Sequence, residues 1–229
     1  MALTVYEDLE QGSEEWLQAR CGIVTASVVK DLVTAKTLQP AKNDTARGLT
    51  AQLVAERITG YVEPTYANAD MERGNVTEPF ARDMYAAEQD LMVHQVGFMV
   101  RDFNGDRLGY SPDGLVGEVG LIEIKAPRQK GHLATILADE VPAQYMPQLQ
   151  CGLLVSGRGW IDYVSYCGGF PLFVKRVRPD EKWQQAIVDS LALFEYNAEA
   201  MTSIYNNAAR GKQLAERIDI YGETEIVIK

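Results

Sequence analysis

G-Y-S-P-D-G-L-V-G-E-V-G-L-I-E-I-K, residues 109–125, is the stretch on which the reading of this chain turns. Leu121 to Lys125 alternates as a short strand does, with Leu121, Glu123 and Lys125 on one face and the apolar Ile122 and Ile124 on the other. Glu123 and Lys125 therefore project the same way, about 7 Å apart at ~3.4 Å per residue. Asp113 sits in the turn P-D-G, where Pro112 and Gly114 are expected to reverse the chain and fold it back as a hairpin beside the strand. Two hard carboxylates placed together suit Mg²⁺ or Mn²⁺. The adjacent ammonium can orient a metal-bound water, take a proton from it, or balance charge on a phosphate. The arrangement points to phosphodiester hydrolysis. A solvated surface hairpin with a Glu–Lys pair is the plainer alternative, and the apolar back of the strand weighs against it, because a covered strand seldom carries idle charges.

The rest of the chain bounds the answer. Its 229 residues, 46% hydrophobic and 24% charged, imply one compact globular domain over 1–229. No apolar run reaches the ~18 residues of a membrane span. The opening MALTVYEDLE is acidic rather than signal-like, so a cytoplasmic protein is expected. Cys21, Cys151 and Cys167 form no CxxC and read as thiols of a reducing compartment, while His94 and His132 are too isolated to suggest zinc. Basic residues number 22 against 32 acidic ones, a net charge of −10. That total argues against a protein that coats nucleic acid, but not against an enzyme with a local basic channel.

Pattern and capping signals predict a helix from Ser13 to Arg20, a second from about Thr25–Ser27 to Thr34, and a polar loop over 35–48. A third helix over 49–59 stops at Gly60, and a fourth over 75–89 carries Pro79 in its first turn. Strands are expected near 96–102, 107–111 and 120–125, a helix over 143–155, strands over 160–166 and 171–177, and a long helix over 180–209. Residues 218–228 have the pattern of a terminal strand. The fold class is α/β, a mixed sheet flanked by helices.

Further candidates lie outside the opening stretch. Glu78, expected at a helix start, could complete a metal shell or simply stabilise that helix. Gln148 and Gln150 alternate in Y-M-P-Q-L-Q, so one of them should point over the sheet as a neutral donor. Arg20 ends one predicted helix where Thr25 and Ser27 open the next, which would bring amides, a hydroxyl and a guanidinium together as an anion pocket. A capping serine and a surface arginine are the simpler reading. Trp16 reads as core packing.

Taken in order, these residues resemble the lambda-type phage exonucleases, the YqaJ-like alkaline exonuclease branch of the PD-(D/E)xK nucleases. Four blocks carry the likeness: W-L-Q-A-R-C-G-I-V-T-A-S (16–27), R-G-N-V-T-E-P-F-A (73–81), S-P-D-G-L-V with L-I-E-I-K-A-P (111–127), and Y-M-P-Q-L-Q-C (145–151). The resemblance implies a restriction-endonuclease-like core and assigns roles. Glu78, Asp113, Glu123 and the Ile124 backbone carbonyl would be metal ligands, Lys125 the catalytic lysine, and Gln148 a residue that holds the lysine or the attacking water. Ser111 would touch the scissile phosphate, and Arg20, with Thr25 and Ser27, would grip a 5′-phosphate. It further implies two Mg²⁺ per site, with Mn²⁺ as a substitute, and 5′→3′ digestion of double-stranded DNA ends by a homotrimer ring. A single-strand annealing protein would receive the 3′-overhang, in a phage or prophage setting. A restriction-like or structure-specific endonuclease would share the acidic core without the phosphate pocket. A non-catalytic DNA-end-binding protein would not need all four charged positions. Residues 180–229 carry no motif of the family.

Overall fold

The structure, a computed structural model, describes residues 2–64 and 68–218. The terminal strand expected over 218–228 falls, apart from Ile218, outside them. In chain order the elements begin β1 (Leu3–Tyr6), α1 (Glu14–Arg20), β2 (Val24–Thr25), β3 (Val33–Thr34), β4 (Gln39–Pro40), α2 (Asp44–Thr59) and α3 (Ala69–Gln89). Then come β5 (Val93–His94), β6 (Phe98–Phe103), β7 (Asp106–Tyr110), β8 (Gly114–Val116), β9 (Gly120–Lys125) and α4 (Gln129–Ala138). The last are α5 (Met146–Ser156), β10 (Trp160–Ser165), β11 (Phe173–Val177) and α6 (Glu181–Ala209). Among the described residues no helix is long and apolar enough to cross a membrane.

The strands form two main sheets, ordered β1-β6-β7-β2 and β11-β10-β9-β8-β5, with β3 and β4 as a separate ribbon. Both are mixed: β2 runs parallel to β7 and β9 parallel to β10, while the remaining pairs are antiparallel. A parallel pair needs a long crossover, which α4 and α5 supply between β9 and β10. Helix α5 is enclosed almost all round, with Leu149, Cys151, Leu153 and Val155 in the main core beside Leu108, Leu121, Ile161 and the Ile187–Phe194 face of α6. On the other side of β9, Ile122 and Ile124 pack with Ala81 and Tyr85 of α3. The alternation of L-I-E-I-K therefore divides two cores, and Glu123 faces the α5 side together with Leu121. Stripe residues Ile187, Leu191, Phe194 and Ala198 of α6 are buried against the same core, leaving Tyr205 half exposed at the far end.

Four expectations are corrected by the backbone, and one helix is additional to them. The helix predicted from Thr25–Ser27 to Thr34 is instead β2, a 3-10 turn at Val29–Asp31, and β3. β-branched Val24 and Thr25 register with Leu108 and Gly109 of β7, and that pairing outweighs the capping pattern. Helix α2 starts earlier than expected because Asn43 caps it, its side chain accepting from the Ala46 amide at 2.9 Å. Helix α3 likewise starts at Ala69, capped by Asn68, which accepts from the Asp70 and Met71 amides at 3.0 Å. Pro79 is thus in the helix interior, where it removes a backbone donor, and the packing of Ala81 and Tyr85 keeps the helix intact. Helix α4 carries little signal in the sequence: Arg128 at its start gives no side-chain cap, and Gly131 and His132 weaken its pattern. Finally, the chain reverses not at P-D-G but at Gly117, whose φ of 51° needs no Cβ. The Ser111–Asp113 segment instead carries the chain from the end of β7 in one sheet to β8 in the other.

Candidate active site

Glu123 is the centre of the site. Its side chain is 2% exposed, and a charged carboxylate so enclosed needs several donors. Lys125 Nζ lies 2.7 Å from Oε1, the Gln148 amide of α5 donates to the same oxygen, and the Tyr110 hydroxyl donates to Oε2 at 3.0 Å. Glu123 and Lys125 share a face because they are two apart on one strand. Gln148 reaches in from the first turn of α5. Gln150, two residues on, faces away: its side chain donates to the Arg178 carbonyl and accepts from the Asp180 amide, both at 2.9 Å, tying α5 to the start of α6.

Asp113 approaches the same strand from the seam. Its Oδ2 accepts from the Ile124 amide at 2.6 Å. In a strand one residue's N–H and C=O point to the same side, so the Ile124 carbonyl is directed toward Asp113, beyond Gly114–Ile122 where the pairing with β8 ends. Glu78 comes from the middle of α3 rather than its first turn, so the helix terminus does not place it. Arg82, one turn on, does: its guanidinium donates to the Glu78 carboxylate and, through Nε at 2.9 Å, to the Asp113 carbonyl.

The charges are strongly coupled. Burial first, and then the Glu123 charge, hold the Asp113 carboxyl well above the ordinary carboxylate range, with Lys125 opposing. Burial likewise raises Glu78, opposed by Arg82 and reinforced by Glu123. For Lys125, burial alone would favour the neutral amine, but Glu123 and Asp113 outweigh it and raise its pKa, so the side chain is an ammonium at neutral pH. Its Nζ also lies 5.7 Å from the ring centroid of Tyr145, which stacks on Tyr163. A lysine held this way can orient a neighbouring group and neutralise its charge.

A metal fits this donor set. Among the described residues no three Asp, Glu, His or Cys side chains form a ready-made cage, and Arg82 occupies Glu78. The chemistry of the donors nevertheless matches a hard divalent ion: Asp113 commits Oδ2 to one backbone amide, Glu78 and Glu123 lie close enough to perturb its ionisation, and the Ile124 carbonyl is directed to the same side.

The expected anion pocket takes a different form. The Ala26 and Val28 amides are already bonded, to the Gly109 and Thr25 carbonyls, so no helix start opens there. Arg20 turns instead to the seam: its Nη1 lies 3.2 Å from Ser111 Oγ, two residues from Asp113. Trp16 supports both, with the Arg20 guanidinium 3.8 Å above its ring and its indole N–H donating to Ser111 Oγ at 3.0 Å and the Gly97 carbonyl at 3.2 Å. Buried Thr25, on β2, and exposed Ser27, just past it, pair through their hydroxyls at 3.1 Å, and neither is hydrogen-bonded to Arg20. The Arg20 loop is pinned from α2, where Glu56 accepts from the Gly22 amide at 2.8 Å and Arg57 donates to the Gly22 carbonyl at 2.7 Å. Burial lowers the Arg20 pKa to about 10 against the pull of Glu56, leaving a poorly hydrated cation at neutral pH.

Sequence reasoning missed Arg82, Tyr110 and the supporting part of Trp16. Arg82 was readable, four residues after Glu78 on one helix face. Tyr110 and Trp16 act across sheets and loops, which no local pattern reports.

A mixed α/β fold with a carboxylate–lysine cluster at a strand end defines a nuclease. Residues 15–159 match the model of the YqaJ-like viral recombinase domain, and the chain belongs to that family. The alkaline exonuclease LHK-Exo from Laribacter hongkongensis is similar at 36% identity over 86% of this chain and 98% of its own, with a TM-score of 0.75, and its structure in complex with dAMP matches equally. A phage related exonuclease from Haemophilus somnus 129PT, 14% identical over 80% of this chain and 96% of its own with a TM-score of 0.62, shares the fold. No curated protein matches the chain.

Proposed function

We propose that the chain is a Mg²⁺-dependent, processive 5′→3′ exonuclease that digests one strand of double-stranded DNA from its ends and leaves 3′-overhangs for phage-type homologous recombination. The observation that carries the reading is the meeting of Glu78, Asp113, Glu123, Lys125 and Gln148 at one strand end, with Arg20 and Ser111 alongside. Glu78, Asp113, Glu123 and the Ile124 carbonyl would hold Mg²⁺, or Mn²⁺ in its place. When bound, such ions polarise the scissile phosphate and make water a nucleophile near neutral pH. Lys125 would balance charge on the phosphate, while Gln148 would hold Glu123. Arg20 and Ser111 receive the terminal phosphate, and the Thr25–Ser27 hydroxyl pair lines the neighbouring strand.

The family setting supports a homotrimer ring around the duplex, a single-strand annealing protein as partner, and a cytoplasmic, phage- or prophage-encoded origin. The test is digestion of linear and covalently closed duplexes with and without Mg²⁺. Loss of linear DNA alone, dependent on metal, is expected. Efficient cutting of closed circles would replace this reading with a restriction-like endonuclease. A monomer in light scattering, combined with high processivity on long DNA, would remove the ring.

A further inference from the structure

The third donor to Glu123, Tyr110, lies just outside the blocks that carry the family likeness. Tyr110 ends β7 in one sheet, Glu123 sits on β9 in the other, and their 3.0 Å hydrogen bond joins the two sheets directly behind the site. The Tyr110 ring is 1% exposed. Helix α5 clamps it through Gly152, where a Cβ would come 2.8 Å from the ring carbon that bears the hydroxyl. The phenol has little room to turn. A carboxylate offers about four acceptor positions. Lys125 and Gln148 share Oε1, and Tyr110 takes one position on Oε2.

We propose that Tyr110 is a positioning residue for metal binding: its hydroxyl locks the Glu123 carboxylate so that the remaining Oε2 position is presented to the cation, and Gly152 is the small residue that lets α5 hold the phenol in place. The inference rests on the reading of Glu123 as a metal ligand. A partner that orients a ligating carboxylate typically contributes roughly 10- to 100-fold in metal affinity.

Tyr110→Phe deletes the hydroxyl and keeps the packed ring. Gly152→Ala keeps the hydroxyl and displaces the ring. Both are measured in the full chain by Ca²⁺ calorimetry without DNA and by the Mg²⁺ dependence of digestion, with near-UV circular dichroism in EDTA to check the fold. For Tyr110→Phe we expect weaker Ca²⁺ binding and a Mg²⁺ half-saturation raised about 10- to 100-fold, with turnover largely restored at saturating Mg²⁺ and the KM for DNA unchanged. Gly152→Ala should shift both metal readouts in the same direction. A tyrosine that merely filled space would lower the melting temperature and leave metal half-saturation where it was, and that result in either folded variant overturns the inference. Wild-type chain that neither binds Ca²⁺ nor responds to Mg²⁺ would instead sink the metal-site reading itself.

Discussion

Replacing Arg20 with alanine should separate recognition of the DNA end from the chemistry. The guanidinium is stacked on Trp16, bonded to Ser111, and buried enough for its pKa to fall to about 10. Solvent therefore screens it less than a surface arginine, and a phosphate arriving there replaces little hydration. Losing one charge-assisted hydrogen bond to phosphate costs roughly 1.5–3 kcal/mol, about 10- to 150-fold in rate when that contact is made in the transition state. Because Ser111 precedes Asp113 by only two residues, a phosphate gripped at Arg20 is registered against the carboxylates, and the effect should appear with 5′-phosphorylated ends alone.

The assay is initial-rate digestion of a duplex with one end blocked and the other carrying a 5′-phosphate or a 5′-hydroxyl. Wild-type protein should prefer the phosphate, and Arg20→Ala should shrink that preference by the factor above while slow, phosphate-indifferent digestion persists. Arg20→Lys should fall between, since an ammonium keeps the charge but loses the planar stacking and the fork of donors. Equal loss on both ends, or no preference in the wild type, would refute the role given to Arg20.

Four further outcomes follow from the same geometry. Asp113→Ala, Glu123→Ala and Lys125→Ala should each lower cleavage by roughly 10²–10³-fold or more with far-UV circular dichroism retained, and full Mg²⁺-dependent turnover in Lys125→Ala would sink the site assignment. Ca²⁺ should raise the melting temperature without supporting turnover, and rapid digestion in excess EDTA would rule out the metal-dependent mechanism. Gln150→Ala should cost about 1–3 kcal/mol in urea unfolding by orphaning buried partners, whereas Gln148→Ala should lower activity with a smaller stability loss, and the reverse pattern would contradict the division between them. Stability should also fall as pH rises above about 9–10, because burial raises the Tyr85, Tyr163 and Cys151 groups, Tyr163 to about 12, so that the unfolded chain loses those protons first; a flat melting temperature from pH 8 to 11 would refute this.

What the sequence made legible was whatever depends on neighbours along the chain. The α1 cap at Ser13, the αL stop of α2 at Gly60, the alternation of β9 and the long stripe of α6 all follow from spacing within one element. The 24–34 segment failed because its structure is decided by a distant strand: Val24 and Thr25 are strand residues only since β7 lies beside them. The expected place of Glu78 at a helix start is corrected for a different reason. Its helix begins at Ala69, six residues before the expected start at 75, and the group that directs its side chain is Arg82 rather than a helix terminus.

Asp113 shows why a local reading can reach the right residues through the wrong geometry. A hairpin turning at P-D-G would have brought Asp113 to Glu123 across two neighbouring strands. The chain instead uses Ser111–Asp113 to pass between sheets, so Asp113 meets β9 just past the end of β8, where the Ile124 amide has no strand partner and bonds the carboxylate. The same passage sets Ser111 against Arg20 and Trp16 on one side and leaves Tyr110 behind Glu123 on the other. Within four consecutive positions, Tyr110 reaches Glu123, Ser111 reaches Arg20 and Asp113 reaches the Ile124 amide. A site built on such a seam is sensitive to the relative placement of the two sheets, and the Tyr110–Glu123 bond, like the Asp113–Ile124 bond, ties them together there.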